Sequence, residues 1–429
     1  MLFRQITLLD ENFKIRENMY VGTKGDRIAY IGEEPPKEDF GETYDGTGRL
    51  LMCGFYNAHA HSPMALMRGY GENMVLQDWL TKKIFPFEAL LDSNAVYQGT
   101  MLCMAESLRF GIVSTSDMYY FVSDIARAAA DSGCKENISR SITCFDDTPL
   151  EKMDAFHELE TACRDLNGAE NGRIIMESSL HAEYTSNERI ARDLASWTKD
   201  AGVRMHVHVS ETKTEHEECK ERHDGKTPVQ YLNDCGIFDS PAIAAHCVWI
   251  EGEDYDILKE KGVTVAVNPT SNLKLASGIC DSAAILKKGI NLGIGTDSVS
   301  SNNSLNFLSE IKLLAMLAKT KAGDPTVVTP EQALYAATRG GALAQGRTDC
   351  GLMKEGYKAD LIVMRTDVPN MAPVHDMVSS IVYSACGSDI VLTMVDGKVL
   401  YKDGEYATID IDRTIRETEA ATEKILKQL

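Results

Sequence analysis

A cluster of histidines and one aspartate sits where metal chemistry could occur. His59 and His61 form an H-x-H pair at the end of an apolar segment, GFYNAHAH. In an extended strand, residues two apart point to one face, so both imidazoles look the same way. Alone, the pair is ambiguous, because two histidines in a solvated loop have the same spacing. Three further residues add weight to it. His208 closes VRMHVH, His246 closes AIAAH, and Asp297 follows GIGT. The chain holds 10 histidines, and four of them fall at the ends of strand-like segments. Three imidazoles with one carboxylate suit Zn2+ and would also accept Fe2+, so one divalent metal is expected.

Strand-end chemistry needs strands to carry it. Eight apolar segments read as strands: GFYNAHAH, GIVSTSDMYY, ISRSITCF, RIIMESSLHA, VRMHVHVSE, AIAAHCVWI, VTVAVNP and NLGIGTDSV. Amphipathic stretches such as DSNAVYQGTMLCMAESLRFG lie between them. Strands alternating with helices imply an α/β fold with parallel strands, and eight such units predict a closed (β/α)8 barrel over residues 54–350. Such a barrel carries its chemistry at the C-terminal strand ends, where the histidines stand. Residues 1–53 and 351–429 have a different texture, with short alternating strands between turns rich in Gly and Asp. The two ends are expected to pair into one small composite β-sandwich domain. The last segment, DIDRTIRETEAATEKILKQL, reads as an amphipathic helix starting near Asp410.

Composition limits the partners. The 429 residues carry 44 basic and 64 acidic side chains, a net charge of −20. So acidic a surface repels nucleic acid and anionic lipid, which leaves a small molecule as the expected partner. The 11 cysteines include no CxxC pair, which fits a reduced cytoplasmic compartment better than a disulfide framework. The N-terminus does not read as a signal peptide, and no apolar run reaches the ~18 residues of a membrane span. Large barrel enzymes often pair, so a homo-oligomer is expected.

Read together, these segments resemble the amidohydrolase superfamily, in particular the adenosine-type deaminases that act on S-adenosylhomocysteine, 5'-methylthioadenosine and related 5'-substituted adenosines. The parts that carry the likeness are GFYNAHAHSPMALMRGYGENMVLQDWL, IFPFEA, SLHAEYTSN, HVHVSET, AAHCVW, NPTSNLKLASG, GTDSVSSNNSLN and GLMKEGYKADLIV. The resemblance implies that His59, His61, His208 and Asp297 are metal ligands. It implies catalytic roles for Glu211, His246 and Asp297. His181 would contact the base or ribose, Glu88 would accept hydrogen bonds from ribose hydroxyls, and Trp79 would pack near the substrate.

The chemistry is consistent with those roles. Displacing ammonia from an amidine carbon needs hydroxide at neutral pH, and a divalent metal lowers the pKa of a bound water to about 7. Asp297 can take a proton from that water, Glu211 can protonate the ring nitrogen beside the attacked carbon, and His246 can orient the nucleophile.

Other readings compete at several positions. His206 shares a strand face with His208, but the H-x-x-E spacing to Glu211 favours His208 as ligand and leaves His206 behind it. Glu211 could instead cap a helix, and Trp79 could be simple core packing. Cys247 is expected to pack away from the barrel interior. His216 and His223 lie in a charged stretch and are expected to be solvated. A dihydroorotase-like two-metal amidase would need a lysine at the end of strand four, and RIIMESSLHAEYTSN has none. His181-Ala182-Glu183 mimics half of the small zinc deaminase motif, but its CxxC partner is missing. Guanine or pterin deaminases and triazine hydrolases share the metal set, and a scaffold barrel would have lost it. The segment after strand three, SITCFDDTPLEK, has no arginine beyond Arg140 and is acidic at Asp146 and Asp147. A neutral 5' group is therefore expected, as in 5'-methylthioadenosine, 5'-deoxyadenosine or adenosine, ahead of S-adenosylhomocysteine.

Overall fold

A computed structural model describes residues 1–429. All eight expected strands form: Phe55–Ala60, Ile112–Tyr119, Lys135–Ile142, Ile174–Ala182, Arg204–Val209, Ala242–His246, Thr264–Val267 and Asn291–Ile294. We call them barrel strands one to eight. Each pairs parallel with the next, and strand eight returns to strand one through Ile294 opposite Asn57, which closes the barrel. Helices cover the outer faces, so the strands are buried on both sides and read as apolar runs. Helix Glu188–Ala201 is typical of these crossovers. Asn187 caps its start by accepting from the Ile190 amide, and Gly202 ends it at a φ of 66°, a conformation glycine adopts without strain.

Strand three differs from its expected span. It starts at Lys135 and stops at Ile142, so Thr143 to Phe145 fall in the following loop. Its first residues, Lys135, Glu136 and Asn137, are charged or polar and still buried. Each has a polar partner, Asp360 for Lys135, Ser62 for Glu136 and Glu177 for Asn137, and an apolar pattern cannot reveal them.

The two chain ends pair as expected. Five strands between Leu2 and Cys53 and four between Leu361 and Tyr406 make one continuous nine-stranded sheet. The halves meet where Arg49–Cys53 runs antiparallel to Leu361–Arg365, with Leu51 opposite Val363. Phe3, Ile6, Val21, Leu51, Leu361 and Leu392 belong to a buried core of its own. Strand Arg49–Cys53 enters barrel strand one through Gly54 alone. A Cβ there would stand 2.4 Å from Val113, so only glycine fits this tight transition. The terminal helix Ile411–Leu426 is capped by Asp410 and lies on helix Ser93–Arg109, where Thr418 Oγ1 donates to the Gln98 carbonyl. No helix is long and apolar enough to cross a membrane.

A buried ion cluster joins the floor of the barrel to the sheet. Lys135, 1% exposed, pairs with Asp360 and lies 2.8 Å from Asp396. Tyr56 from strand one donates to the same Asp360. Removing one member of a buried pair strands the others without a counter-charge, at a cost of about 3–5 kcal/mol. Lys135→Ala is therefore expected to lose that much in urea unfolding. A loss below about 1 kcal/mol would mean that the cluster does not hold the two parts together.

Candidate active site

The C-terminal strand ends bring the expected donors to one point. His59 lies in strand one and His61 just beyond it. His208 lies in strand five, and His246 ends strand six. Asp297 follows strand eight, its Oδ1 3.6 Å from His59 Nε2 and 3.3 Å from His61 Nε2. His208 Nε2 is 3.4 Å from His61 Nε2. Two overlapping sets could each hold a metal ion, His59–His61–His208 and His59–His246–Asp297, with ligand atoms within 4.8 Å of one another in each.

The opposite ring nitrogens explain why the rings face inward. His61 Nδ1 donates to the Met118 carbonyl at 2.6 Å, and His208 Nδ1 to the His181 carbonyl at 2.6 Å. A backbone carbonyl only accepts, so both rings carry a proton on Nδ1 and turn Nε2 to the centre. His246 Nδ1 lies 2.8 Å from the Asn272 amide oxygen. His59 Nδ1 lies 2.9 Å from His206 Nε2, and His206 Nδ1 faces the buried Glu177 carboxylate at 4.0 Å. His206 thus stands behind His59, and strand period two explains the HVH spacing. His59 Nε2 is buried and faces only the Asp297 carboxylate at 3.6 Å, as a metal-facing nitrogen would.

Electrostatics favour a cation there. Burial pushes His59 down to about 4 and His181 down to about 3, and it drives His208 well below the ordinary value. Burial also opposes charge on His61, but its contact with Asp297 outweighs this and lifts it to about 9. Burial works to raise the Asp297 carboxyl, yet His59 and His61 hold it well below the usual carboxylate range. One firm anion among mostly neutral, outward-anchored imidazoles fits a divalent metal.

The backbone is strained to make this arrangement. Ser210, His246 and Asp297 all have positive φ, at 49°, 73° and 58°. Such conformations cost of order 1–3 kcal/mol each and persist where surrounding contacts hold them. Asp297 is held by Ser271 Oγ at 2.6 Å, Ser301 Oγ at 3.1 Å and the Ser298 amide at 2.8 Å. Gly295 leaves room beside His59. A Cβ there would lie 2.2 Å from Asn268 Oδ1 and 2.8 Å from the His59 Cβ.

A cleft of about 620 Å³ opens over these donors. Its lining includes His61, His208, His246, Asp297, Glu211, His181, Glu88 and Trp79. His59 lies beneath, fully buried. Glu211 lies 3.8 Å from His246 Nε2 and accepts from Ser277 Oγ at 3.2 Å. Burial raises its carboxyl above the ordinary range. It does not cap a helix. Thr212 does, its Oγ1 accepting from the Glu215 amide at 3.1 Å, while the Glu215 carboxylate accepts from the amides of Ser210 and Glu211 at 2.8 and 2.7 Å. Trp79 is buried on a wall that runs Leu76–Glu88 and contains a π-helical turn, Leu80–Ile84. Such turns often occur at functional sites. Glu88 ends that wall beside Tyr120, whose hydroxyl is 3.4 Å away, and burial lifts its carboxyl to about 7.

Several residues depart from their expected places or were not anticipated. His216 is buried, not solvated, with Ser210 Oγ at 3.3 Å and Glu251 at 3.4 Å. It lies with Glu215 and Cys219 on the inner face of helix Lys213–Arg222, where dense charge hides the helical period. His223 is half-buried, stacked on Tyr231 at 3.7 Å and bonded to Glu183 at 2.7 Å. Glu183, Cys219 and His223 also lie close together, but Arg222 occupies the carboxylate. Cys247 is buried against the Ala244 carbonyl, as expected of packing. Tyr119, Ser141, Tyr184, Leu76 and Leu275 line the cleft and carried no sequence signal beyond a position near a strand or loop end.

Comparison with known proteins agrees with this geometry. The profile of the amidohydrolase family matches residues 50–400. A 5-methylthioadenosine/S-adenosylhomocysteine deaminase from Caldanaerobacter subterraneus subsp. tengcongensis is 38% identical over 429 residues, spanning 100% of this chain and 99% of that protein. A 5'-deoxyadenosine deaminase from Methanosarcina mazei is 37% identical over 403 residues, covering 94% of this chain and 92% of that one. The crystal structure of a zinc-bound adenosine deaminase from Xanthomonas campestris superposes with a TM-score of 0.92 at 28% identity, covering 99% and 98% of the two chains. With the family profile running from the last strand before the barrel to the far strands of the sheet, the protein belongs to the amidohydrolase family.

Proposed function

We propose that the protein hydrolytically deaminates adenosine-type nucleosides to their inosine analogues and ammonia. The observation that carries this reading is a pair of carboxyls in one cleft, Glu211 buried beside the histidine cage and Glu88 half-buried on the Leu76–Glu88 wall. One suits proton transfer to a base, and the other suits a sugar diol. The relatives named above, deaminases of 5'-substituted adenosines, support the same substrate class.

His59, His61, His208 and Asp297 would hold one divalent metal. Their imidazole-rich set favours zinc, with Fe2+ the substitute the same donors accept. When bound, the metal supplies Lewis acidity and water activation at neutral pH. Asp297, held by two serine hydroxyls, receives the proton of the attacking water and returns one to the departing amine. Glu211, whose buried carboxyl favours its protonated form, donates to the ring nitrogen next to the attacked carbon. His246, anchored by Asn272, orients the nucleophile. His181 meets the base or ribose, Trp79 packs on the substrate, and Glu88 accepts from ribose hydroxyls. The eleven free cysteines support a reducing, cytoplasmic setting.

A neutral 5' group is the best fit. Beyond Glu88 a vestibule is lined by Phe85, Ala89, Tyr120, Phe121, Thr143 and Phe145, with Arg140 at its side. Arg140 already gives its Nε to Glu158 at 2.6 Å and lies over Tyr120 at 4.7 Å, so its charge is balanced. Asp146 turns back onto the Thr148 amide at 2.8 Å.

Three outcomes test this reading. Ammonia release should be fastest among adenosines, with 5'-methylthioadenosine showing a higher kcat/KM than S-adenosylhomocysteine, and neither adenine nor guanine a good substrate. The reverse order for the two thio compounds would sink the neutral preference, and a best rate on guanine would sink the nucleoside reading. Glu211→Gln should keep metal and fold but lose at least about 100-fold in kcat, since it removes only a proton donor. A near-normal kcat in a metal-replete protein would refute that role. Glu88 is a carboxylate above about pH 7 and an acid below it. KM for adenosine should therefore rise several-fold as pH falls from about 8 to about 6, and Glu88→Gln should flatten this profile.

A further inference from the structure

The rim of the barrel has eight strand ends, and the proposed chemistry uses five of them. Strands one, five, six and eight bring His59, His61, His208, His246 and Asp297, and strand four brings His181. Strand seven is followed by Asn268, whose side chain lies 3.2 Å from His246 Nδ1. Strands two and three contribute Tyr119 and Ser141. Tyr119 ends strand two at 3% exposure, and Ser141 lies on strand three at 4%. Both line the cleft, and neither hydroxyl has a partner within hydrogen-bond distance, although the Tyr119 hydroxyl faces the Glu88 carboxyl. Buried hydroxyls are nearly always bonded, so two adjacent exceptions facing one cleft call for a ligand.

Their neighbours indicate which part of a ligand they meet. Strand three lies between strands two and four, with Tyr119 opposite Arg140 and Ser141 opposite Ser179. Around the rim, the order therefore runs from Tyr119 to Ser141 to His181. Tyr119 stacks on Tyr120 at 4.8 Å, and Tyr120 reaches Glu88. The two free hydroxyls thus bridge the Glu88 side of the cleft to the His181 side. On the other side of Tyr119 stands His61, with ring centroids 6.3 Å apart.

We infer that the Tyr119 and Ser141 hydroxyls are specificity-determining contacts to the sugar hydroxyls of the nucleoside, extending the Glu88 subsite toward His181. The inference rests on the nucleoside reading given above. A site that offers buried hydroxyls to a sugar diol penalises a ligand without the diol, because its own groups then stay unpaired.

The test compares adenosine with 2',3'-dideoxyadenosine in the zinc-loaded protein and in Tyr119→Phe and Ser141→Ala. Each variant should lose about 10-fold in kcat/KM on adenosine, carried by KM, with kcat within about two-fold. On the dideoxy compound each should stay within about two-fold of the parent. An equal loss on both compounds, or no loss on either, overturns the inference. Metal content and melting temperature check that each variant is folded, and Ser141→Ala stands alone if Tyr119→Phe fails to fold. A parent protein that releases no ammonia from any nucleoside would sink the functional reading itself, a result distinct from an active parent whose variants keep its diol preference.

Discussion

The site depends on hydrogen bonds made on the side of each imidazole that faces away from the centre. A histidine can ligate through either nitrogen, and in the open it samples many orientations. Here the Met118 and His181 carbonyls hold two rings by Nδ1, Asn272 holds a third, and His206 holds a fourth. Each anchor fixes a ring direction, and the carbonyls fix a tautomer as well. Two anchors are main-chain atoms of strands two and four, each next to the strand whose histidine it holds. The barrel that carries the ligands therefore also aims them, and the Nε2 atoms converge without help from mobile side chains.

That arrangement carries a cost that the rest of the molecule offsets. It buries a carboxylate and several imidazoles and sets three rim residues at positive φ. Such strain is stable only where strand ends cannot relax. The other end of the barrel supplies the restraint. Strand one continues from the sheet through Gly54, and the Lys135 cluster ties strands one and three to Asp360 and Asp396. The sheet formed by the chain termini thus braces the strand on which the H-x-H pair sits. Its position on the opposite side of Gly54 from His59 suits support rather than chemistry.

The sequence revealed most where one physical rule acts alone. Buried parallel strands must be apolar, so all eight could be read. Period two puts His59 and His61 on one face, and the H-x-x-E step from His208 to Glu211 singles out a ligand and its neighbour. Legibility fails where two rules overlap. Strand three begins with Lys135, Glu136 and Asn137, each buried on a polar partner, so hydropathy cannot find its start. His216 is buried on a helix whose flanking charges swamp the 3.6-residue period. Tyr119 and Ser141 belong to common residue types, and only their missing partners mark them, which is a property of three-dimensional packing.

The same division explains why the chemistry could be read more sharply than the substrate. The groups proposed to transfer protons and hold the metal stand on strand ends, whose spacing is set by the barrel and leaves a pattern in sequence. The groups proposed to meet the 5' end stand on Leu76–Glu88 and on the loop after strand three, whose paths no periodicity dictates. Arg140 illustrates the point. As a residue near a cleft it could answer a carboxylate, but its pairing with Glu158, 18 positions on, balances its charge and makes the vestibule a place for neutral, apolar groups. The character of a cation at the mouth of the cleft is decided by its partner, and that partner is supplied by a helix outside the barrel wall.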